Sequence, residues 1–222
     1  MIREKILLFS LVCLLAACTS HDYDTGDGKL SYMRADFALA HSNAVGSIDY
    51  IDTDEGNRVF FASPYSSDWV VTADSLYRVL AYYDATTTGT TNKVHSMVQL
   101  ITLEPKPTEN VKEPVYDPIK NVETAWISAN GKFLNLGLRI MTGATDDDTV
   151  RQSVGMLSDE RTENDDHTKH LQLRLFHNQN GVPEYYSSLV YISIPTADMV
   201  AGDGLKVLVN TYEGWKEWNF EF

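Results

Sequence analysis

Cysteine is nearly absent from this sequence: Cys13 and Cys18 are the only two among 222 residues. If residues 1–17 are removed as a leader, Cys18 is the one thiol left. An intramolecular disulfide is then excluded, and stability has to come from buried apolar surface. Basic residues are scarce as well, 18 against 31 acidic ones, for a net charge of −13. Such a surface lacks the cationic patches that nucleic acid and anionic lipid headgroups require, so neither is expected as a partner. Long apolar runs are missing too: the N-terminal stretch from Ile6 to Leu15 falls well short of the roughly 20 residues a permanent transmembrane helix needs. Beyond residue 30 no long stretch carries helical spacing, and period-two alternation dominates, which points to an all-β protein. The hydrophobic fraction of 43% is ample for a globular core.

What is present at the N-terminus has a clear order. Arg3 and Lys5 form a positive n-region, Ile6–Leu15 an apolar h-region, and Ala16 and Ala17 the small residues a signal peptidase requires. Cys18 follows directly. Leu15-Ala16-Ala17-Cys18 resembles the bacterial lipobox, and that resemblance implies a diacylglyceryl group on the Cys18 thiol and cleavage that leaves Cys18 as the first residue. The mature chain then carries 16 basic and 30 acidic residues, a net charge of −14. Residues 18–29 read as a flexible acidic tether. Acidic residues so soon after the lipidated Cys resemble a surface-export signal of Bacteroidetes-type lipoproteins. The expected location is the cell envelope, lipid-anchored, at the outer membrane and exposed at the surface.

The alternation predicts five strands in residues 30–104, near 30–40, 45–52, 58–62, 76–83 and 94–103, the second and third joined by a tight turn at Asp54, Gly56 and Asn57. Residues 105–118 hold four of the seven prolines. Proline has no backbone donor, so this stretch is excluded from a central strand and reads as a stiff linker. Residues 119–222 restart the alternation. Asn130-Gly131 predicts a type I′ hairpin turn, in which both residues take positive φ. Leu134, Leu136, Leu138 and Ile140 share a face, as do Leu171, Leu173 and Leu175, and Trp218, Phe220 and Phe222. Seven strands in this half suit a β-sandwich, and five in the first half suit a small OB-like barrel. The acid-rich stretches at 142–148 and 158–168 read as loops, and 195–204 as one helical turn.

A lipobox, then a barrel ending in VLAYYDA…VHSMVQLITLEP, then VYDPIKNVETAWISANGKFLNLGLRI, LQLRLFHNQNGVPEYY and VYISIP, and an aromatic strand after Tyr212-Glu213-Gly214 together resemble the NigD-like lipoproteins of Bacteroidetes. The resemblance covers most of residues 30–222 and implies an N-terminal OB domain followed by a C-terminal β-sandwich. It further implies a bacteriocin-immunity role, since the founding member was proposed as the immunity protein of a bacteriocin locus. It carries over no catalytic residue.

Chemistry of other kinds finds little support. There is no Gly-x-Ser-x-Gly, Ser-x-x-Lys, His-Glu-x-x-His or glycine-rich phosphate loop, so neither an enzyme nor a cofactor is expected. Asp165-Asp166-His167 with His170 and His177 has metal-ligand residue types in a polar loop, where the solvated reading outweighs a site built on rigid, convergent ligands. Asp146-Asp147-Asp148 lacks the spacing of a calcium loop. Trp69, Trp126, Trp215 and Trp218 are residues that β-cores favour and that sugar platforms also use. Two functions therefore compete: a lipid-anchored module that binds a protein partner, a toxin or its receptor, and a carbohydrate-binding accessory lipoprotein that takes a glycan.

Overall fold

The computed structural model describes residues 33–84, 91–147, 149–164 and 168–222; the leader, Cys18 and the tether lie outside them. No α-helix occurs among the described residues. In the first half, β1 (Met33–Ser42), β2 (Ile48–Thr53), β3 (Arg58–Tyr65), β4 (Leu76–Asp84) and β5 (Val94–Gln99) form one sheet in the order β3-β2-β1-β4-β5. A parallel bridge between Phe61 and Asn92 brings the two edges together, with the Ala62 amide donating to the Asn92 carbonyl at 2.9 Å and the Asn92 amide to that of Phe60 at 2.8 Å. This closure makes the sheet the partly open five-stranded barrel expected for an OB-like fold. Its interior is narrow, so the central strands contribute small side chains, Ala38, Ala40 and Ala81, against Ile48, Ile51 and Val79, all fully buried.

The second half builds two sheets. Its elements are β6 (Ile101–Thr102), β7 (Lys106–Pro107), a 3-10 turn at Thr108–Asn110, β8 (Asn121–Ile127), β9 (Phe133–Thr142), β10 (Ser153–Glu163), β11 (Lys169–Asn178), β12 (Tyr186–Pro195), β13 (Gly204–Thr211) and β14 (Gly214–Glu221). One sheet runs β14-β13-β11-β10-β7 and the other β6-β12-β9-β8. The shared faces read from the alternation meet between them: Leu134, Leu136 and Leu138 oppose Leu173, Leu175, Val207 and Val209, with Trp218, Phe220 and Phe222 packed against that core.

Several local expectations are corrected. The run at 94–103 is two strands: β5 stays with the barrel, while Ile101 and Thr102 pair in parallel with Ile192 and Ser193 of β12. Alternation says which face a residue takes, not which sheet it joins. In the Pro-rich stretch, Lys106 and Pro107 lie at a sheet edge beside Leu157 and Ser158, a position where a missing amide donor is tolerated. At Asn130-Gly131 only Gly131 has positive φ, 69°. Asn130 Oδ1 accepts from the Lys132 amide at 3.1 Å and the Ser128 hydroxyl at 2.8 Å, which holds a wider turn than type I′. Residues 158–163 are strand rather than loop, since β10 continues through a bulge after Ser158 and pairs as far as Glu163↔Lys169; this end is charged because it projects past the core. Residues 196–203 are two turns without a helix. There the buried Asp203 carboxylate accepts the amides of Lys169 at 2.8 Å and Val200 at 2.9 Å.

Barrel and sandwich belong to one compact unit, Arg34–Phe222, and the barrel covers the outer face of the four-stranded sheet. At this seam Arg78, its side chain 2% exposed, forms a two-pronged ion pair with Asp54, both contacts 2.6 Å. Its Nε donates to Ser193 Oγ at 3.0 Å and its Nη2 to Asn135 Oδ1 at 3.0 Å, and the guanidinium lies 4.1 Å from the Phe133 ring centre. Beside it, Phe37 meets Trp126 and Tyr191 edge-on at 5.2 and 5.3 Å. Gly137 makes room for this cluster, since a Cβ there would stand 2.5 Å from Thr124 Oγ1 and 3.1 Å from Tyr191.

Candidate functional site

On the side away from β8, the two sheets of the sandwich are open to each other. β12 is paired with β9 along its whole length, Tyr186–Pro195, but on its other side β6 reaches only Ile192 and Ser193. From Tyr186 to Tyr191 that side has no strand partner among the described residues. β10 is similar: β7 covers Leu157 and Ser158 and leaves Ser153–Met156 without a strand partner on that side among the described residues. Between the two edges lies a cleft of about 410 Å³. Ile140 and Val190 form one wall, Val150 and Val154 the other, and Ile101 and Val182 the rim. The walls are apolar because inward-facing positions of β9, β10 and β12 run past the end of the packed core.

The base of the cleft is polar and tightly organised. Gln152 donates from Nε2 to the Met141 carbonyl at 2.7 Å, which turns its Oε1 toward His177 Nε2, 3.1 Å away. His177 Nδ1 lies 3.1 Å from the Asp117 carbonyl. Burial pushes the His177 imidazole below its ordinary pKa of 6.5; the hydrogen bond with the Asp117 carbonyl and the charges of Asp117 and Glu184 pull more weakly upward. The consequence for stability has a definite sign. As pH falls through about 6.5 the unfolded chain takes up a proton that the folded chain does not, so stability drops. Asp203, whose pKa its two amide donors lower, acts in a separate window below about pH 4. The urea midpoint of the full chain is therefore expected to fall between pH 7.5 and 5.5, and His177→Asn to flatten that slope; an unchanged slope in the variant would exclude His177 as its source.

Among the described residues, those with metal-like chemistry are not brought together. Asp148, Asp165, Asp166 and His167 lie outside the described residues. His170 and His177 stand seven apart on β11, so they project to opposite faces: His177 is buried between the sheets behind Gln152, which lines the cleft, and His170 lies exposed on the outer face of the five-stranded sheet. Asp147 accepts the amide and hydroxyl of Thr149 at 2.8 and 2.6 Å, which closes a local turn and lowers its pKa. Among the described residues no group of three His, Cys, Asp or Glu is placed to hold a metal ion. Of the tryptophans, Trp69 packs on the barrel core, Trp126 sits in the seam and Trp218 against the sandwich core, whereas Trp215 is 48% exposed. The signal of Arg78, Asn135 and Ser193 in the sequence is only that of polar residues at outward positions of strongly apolar strands, which solvent exposure explains equally well.

Residues 99–222 match the family described as the NigD-like C-terminal beta sandwich domain. The chain belongs to the NigD-like family. The match begins within β5 and takes in every strand of the sandwich, including the short edge pieces β6 and β7. Solved structures extend the likeness to the barrel. A NigD-like immunity protein from Bacteroides caccae superposes with a TM-score of 0.63 at 18% identity, over 85% of this chain and 96% of that one. A candidate toxin-related protein from Parabacteroides distasonis gives 0.62 at 16% identity, over 86% and 93%. A candidate lipoprotein from Bacteroides fragilis gives 0.62 at 8% identity, over 86% and 97%. At these identities the likeness establishes the fold of barrel plus sandwich. No curated protein matches the chain.

Proposed function

We propose that this NigD-like chain is a lipid-anchored, non-enzymatic protein of the cell envelope that protects its cell by capturing an extended segment of a protein toxin. The observation that carries this reading is the open edge of β12 beside an apolar cleft. Unpaired backbone groups in a row recruit an extended strand, and pockets for alternate side chains select its sequence. Ser188 and Val190 face the cleft, so a captured strand would set its own apolar side chains between the two sheets. The net charge of −13 favours a basic partner, through faster encounter and through rejection of acidic ones. Support of another kind is the immunity name of the Bacteroides caccae protein, and the lipoprotein name of the Bacteroides fragilis protein bears on the anchor.

The test is genetic. Deleting the gene is expected to sensitise cells to toxins secreted by sibling strains, and the wild-type gene to restore protection. Ser188→Lys places a charge in the cleft, a device by which natural edge strands block pairing, and is expected to abolish protection while the protein still folds and reaches the membrane. Unchanged sensitivity in the deletion strain, or full protection by Ser188→Lys, would refute the reading.

A further inference from the structure

The outer face of the five-stranded sheet, on the opposite side of the sandwich from the barrel, carries an arrangement that neither the seam nor the cleft uses. The register places its side chains in rows. Trp215 stands opposite Asn210, Glu217 opposite Leu208, Asn219 opposite Lys206 and Glu221 opposite Gly204. β11 continues the same rows, with Arg174 beside Leu208, Gln172 beside Lys206 and His170 beside Gly204. At one end Trp215 meets Tyr116 at 5.4 Å, and the Arg174 guanidinium lies 5.7 and 5.8 Å from the ring centres of Tyr116 and Trp215. Arg174 is held there by the nearly buried Asp159, at 2.8 Å. At the other end is a hollow of about 360 Å³, lined by Gln172, Lys206, Asn219 and His170 among others.

Two glycines flatten this face. A Cβ on Gly155 would stand 2.2 Å from the Phe176 ring, and one on Gly204 would stand 2.4 Å from the His170 ring. Both rings therefore lie down over glycine backbone, as aromatic side chains do when they cover glycines in a sheet. The result is a low platform of rings that ends in a hollow of mixed polar and apolar lining, with the Trp215 residue 48% exposed.

The charges of the platform are largely matched. Arg174 pairs with Asp159, and Lys206 lies 3.7 Å from Glu217. An anionic ligand would have to break these pairs and would meet the Glu221 carboxylate that also lines the hollow, whereas a neutral polyhydroxylated one would break none. Gln172 and Asn219 each give one long hydrogen bond from the amide nitrogen, to Asp159 at 3.4 Å and to Glu217 at 3.5 Å, and keep a second N–H and the carbonyl oxygen for a ligand. The C–H faces of a sugar ring are weakly positive and match the negative face of an aromatic ring. We infer that this face is a binding site for a neutral oligosaccharide, with one sugar stacked on Trp215 and another, two or three units along the chain because about 13 Å of strand separates the two ends, hydrogen-bonded by Gln172, Lys206 and Asn219. The site lies on the other sheet from the β12 edge and does not rest on the protein-capture reading.

The full-length chain, purified in detergent, would be applied to an array of neutral and acidic glycans, and the strongest neutral hit titrated by isothermal calorimetry. Binding of neutral glycans is expected. Trp215→Ala should weaken it about tenfold, as loss of an aromatic contact predicts, Trp215→Phe should retain part of it, and Gln172→Ala should weaken it without touching any ring. Trp215 is exposed, so its variants are expected to fold, with the thermal midpoint as the check. No neutral glycan bound, binding of acidic glycans alone, or a neutral hit indifferent to both Trp215→Ala and Gln172→Ala would each overturn the inference. Any of these results leaves the sibling-toxin assay unaffected, so the two readings fail separately.

Discussion

Arg78→Ala is expected to destabilise the protein by about 3–5 kcal/mol, the range for breaking a buried ion pair from one side. The cost comes from what stays behind. Asp54, its side chain 13% exposed, loses both contacts of its ion pair, and Ser193 and Asn135 lose the donor that reaches them across the seam. The packing of the guanidinium over Phe133 is lost as well. Urea unfolding of the full chain measures the effect, and limited proteolysis adds a second readout, since barrel and sandwich should then open independently. The double variant Arg78→Met with Asp54→Leu is expected to lose less than Arg78→Met alone, because two apolar partners leave no charge stranded. A loss below about 1 kcal/mol for Arg78→Ala, the range of exposed pairs, would show that the seam does not depend on it.

The second large effect is expected at Cys18. Each buried CH₂ of an acyl chain contributes about 0.8 kcal/mol to membrane attachment, and stable anchoring takes two signals. If Cys18 carries the acyl chains, Cys18→Ala removes the whole attachment while leaving the folded unit from Arg34 onward unchanged. The readout is incorporation of labelled fatty acid, because an uncut apolar leader would itself keep the variant with the membrane. Wild type is expected to take the label and Cys18→Ala to take none. An unlabelled wild-type chain, or a labelled variant, would remove the anchor from the account.

How much of this was legible in the sequence depended on the kind of signal. Period-two alternation located the leucine face of β9, the aromatic face of β14 and the seven strands of the sandwich, because burial on one face imposes that period directly. It did not show that the run after Val94 changes sheets at Leu100, since Ile101 obeys the same period in either sheet. The seam escaped for a related reason: Asn135, Gly137 and Ser193 sit at outward positions, and only the docked barrel turns outward into buried. The cleft could not be read at all. It exists because β6 and β7 are too short to cover their neighbours, and an edge is a property of the assembled sheet. The separation of His170 from His177 was readable, however, because residues an odd number apart on one strand face opposite ways.

The seam also bears on how the chain reaches its fold. Arg78 and Ser193 are 115 residues apart in sequence, and β11 pairs in parallel with β13, across the intervening β12. Contacts of such separation reward the chain only after long loops have closed, so they slow folding. Barrel hairpins such as β1–β2 and β4–β5 are local and can form early; the docking of the barrel onto β9 and β12 must wait for both halves. A chain in which both halves had formed but not yet docked would expose Phe133, Trp126 and Tyr191 on that sheet, an apolar patch that the docked barrel largely covers.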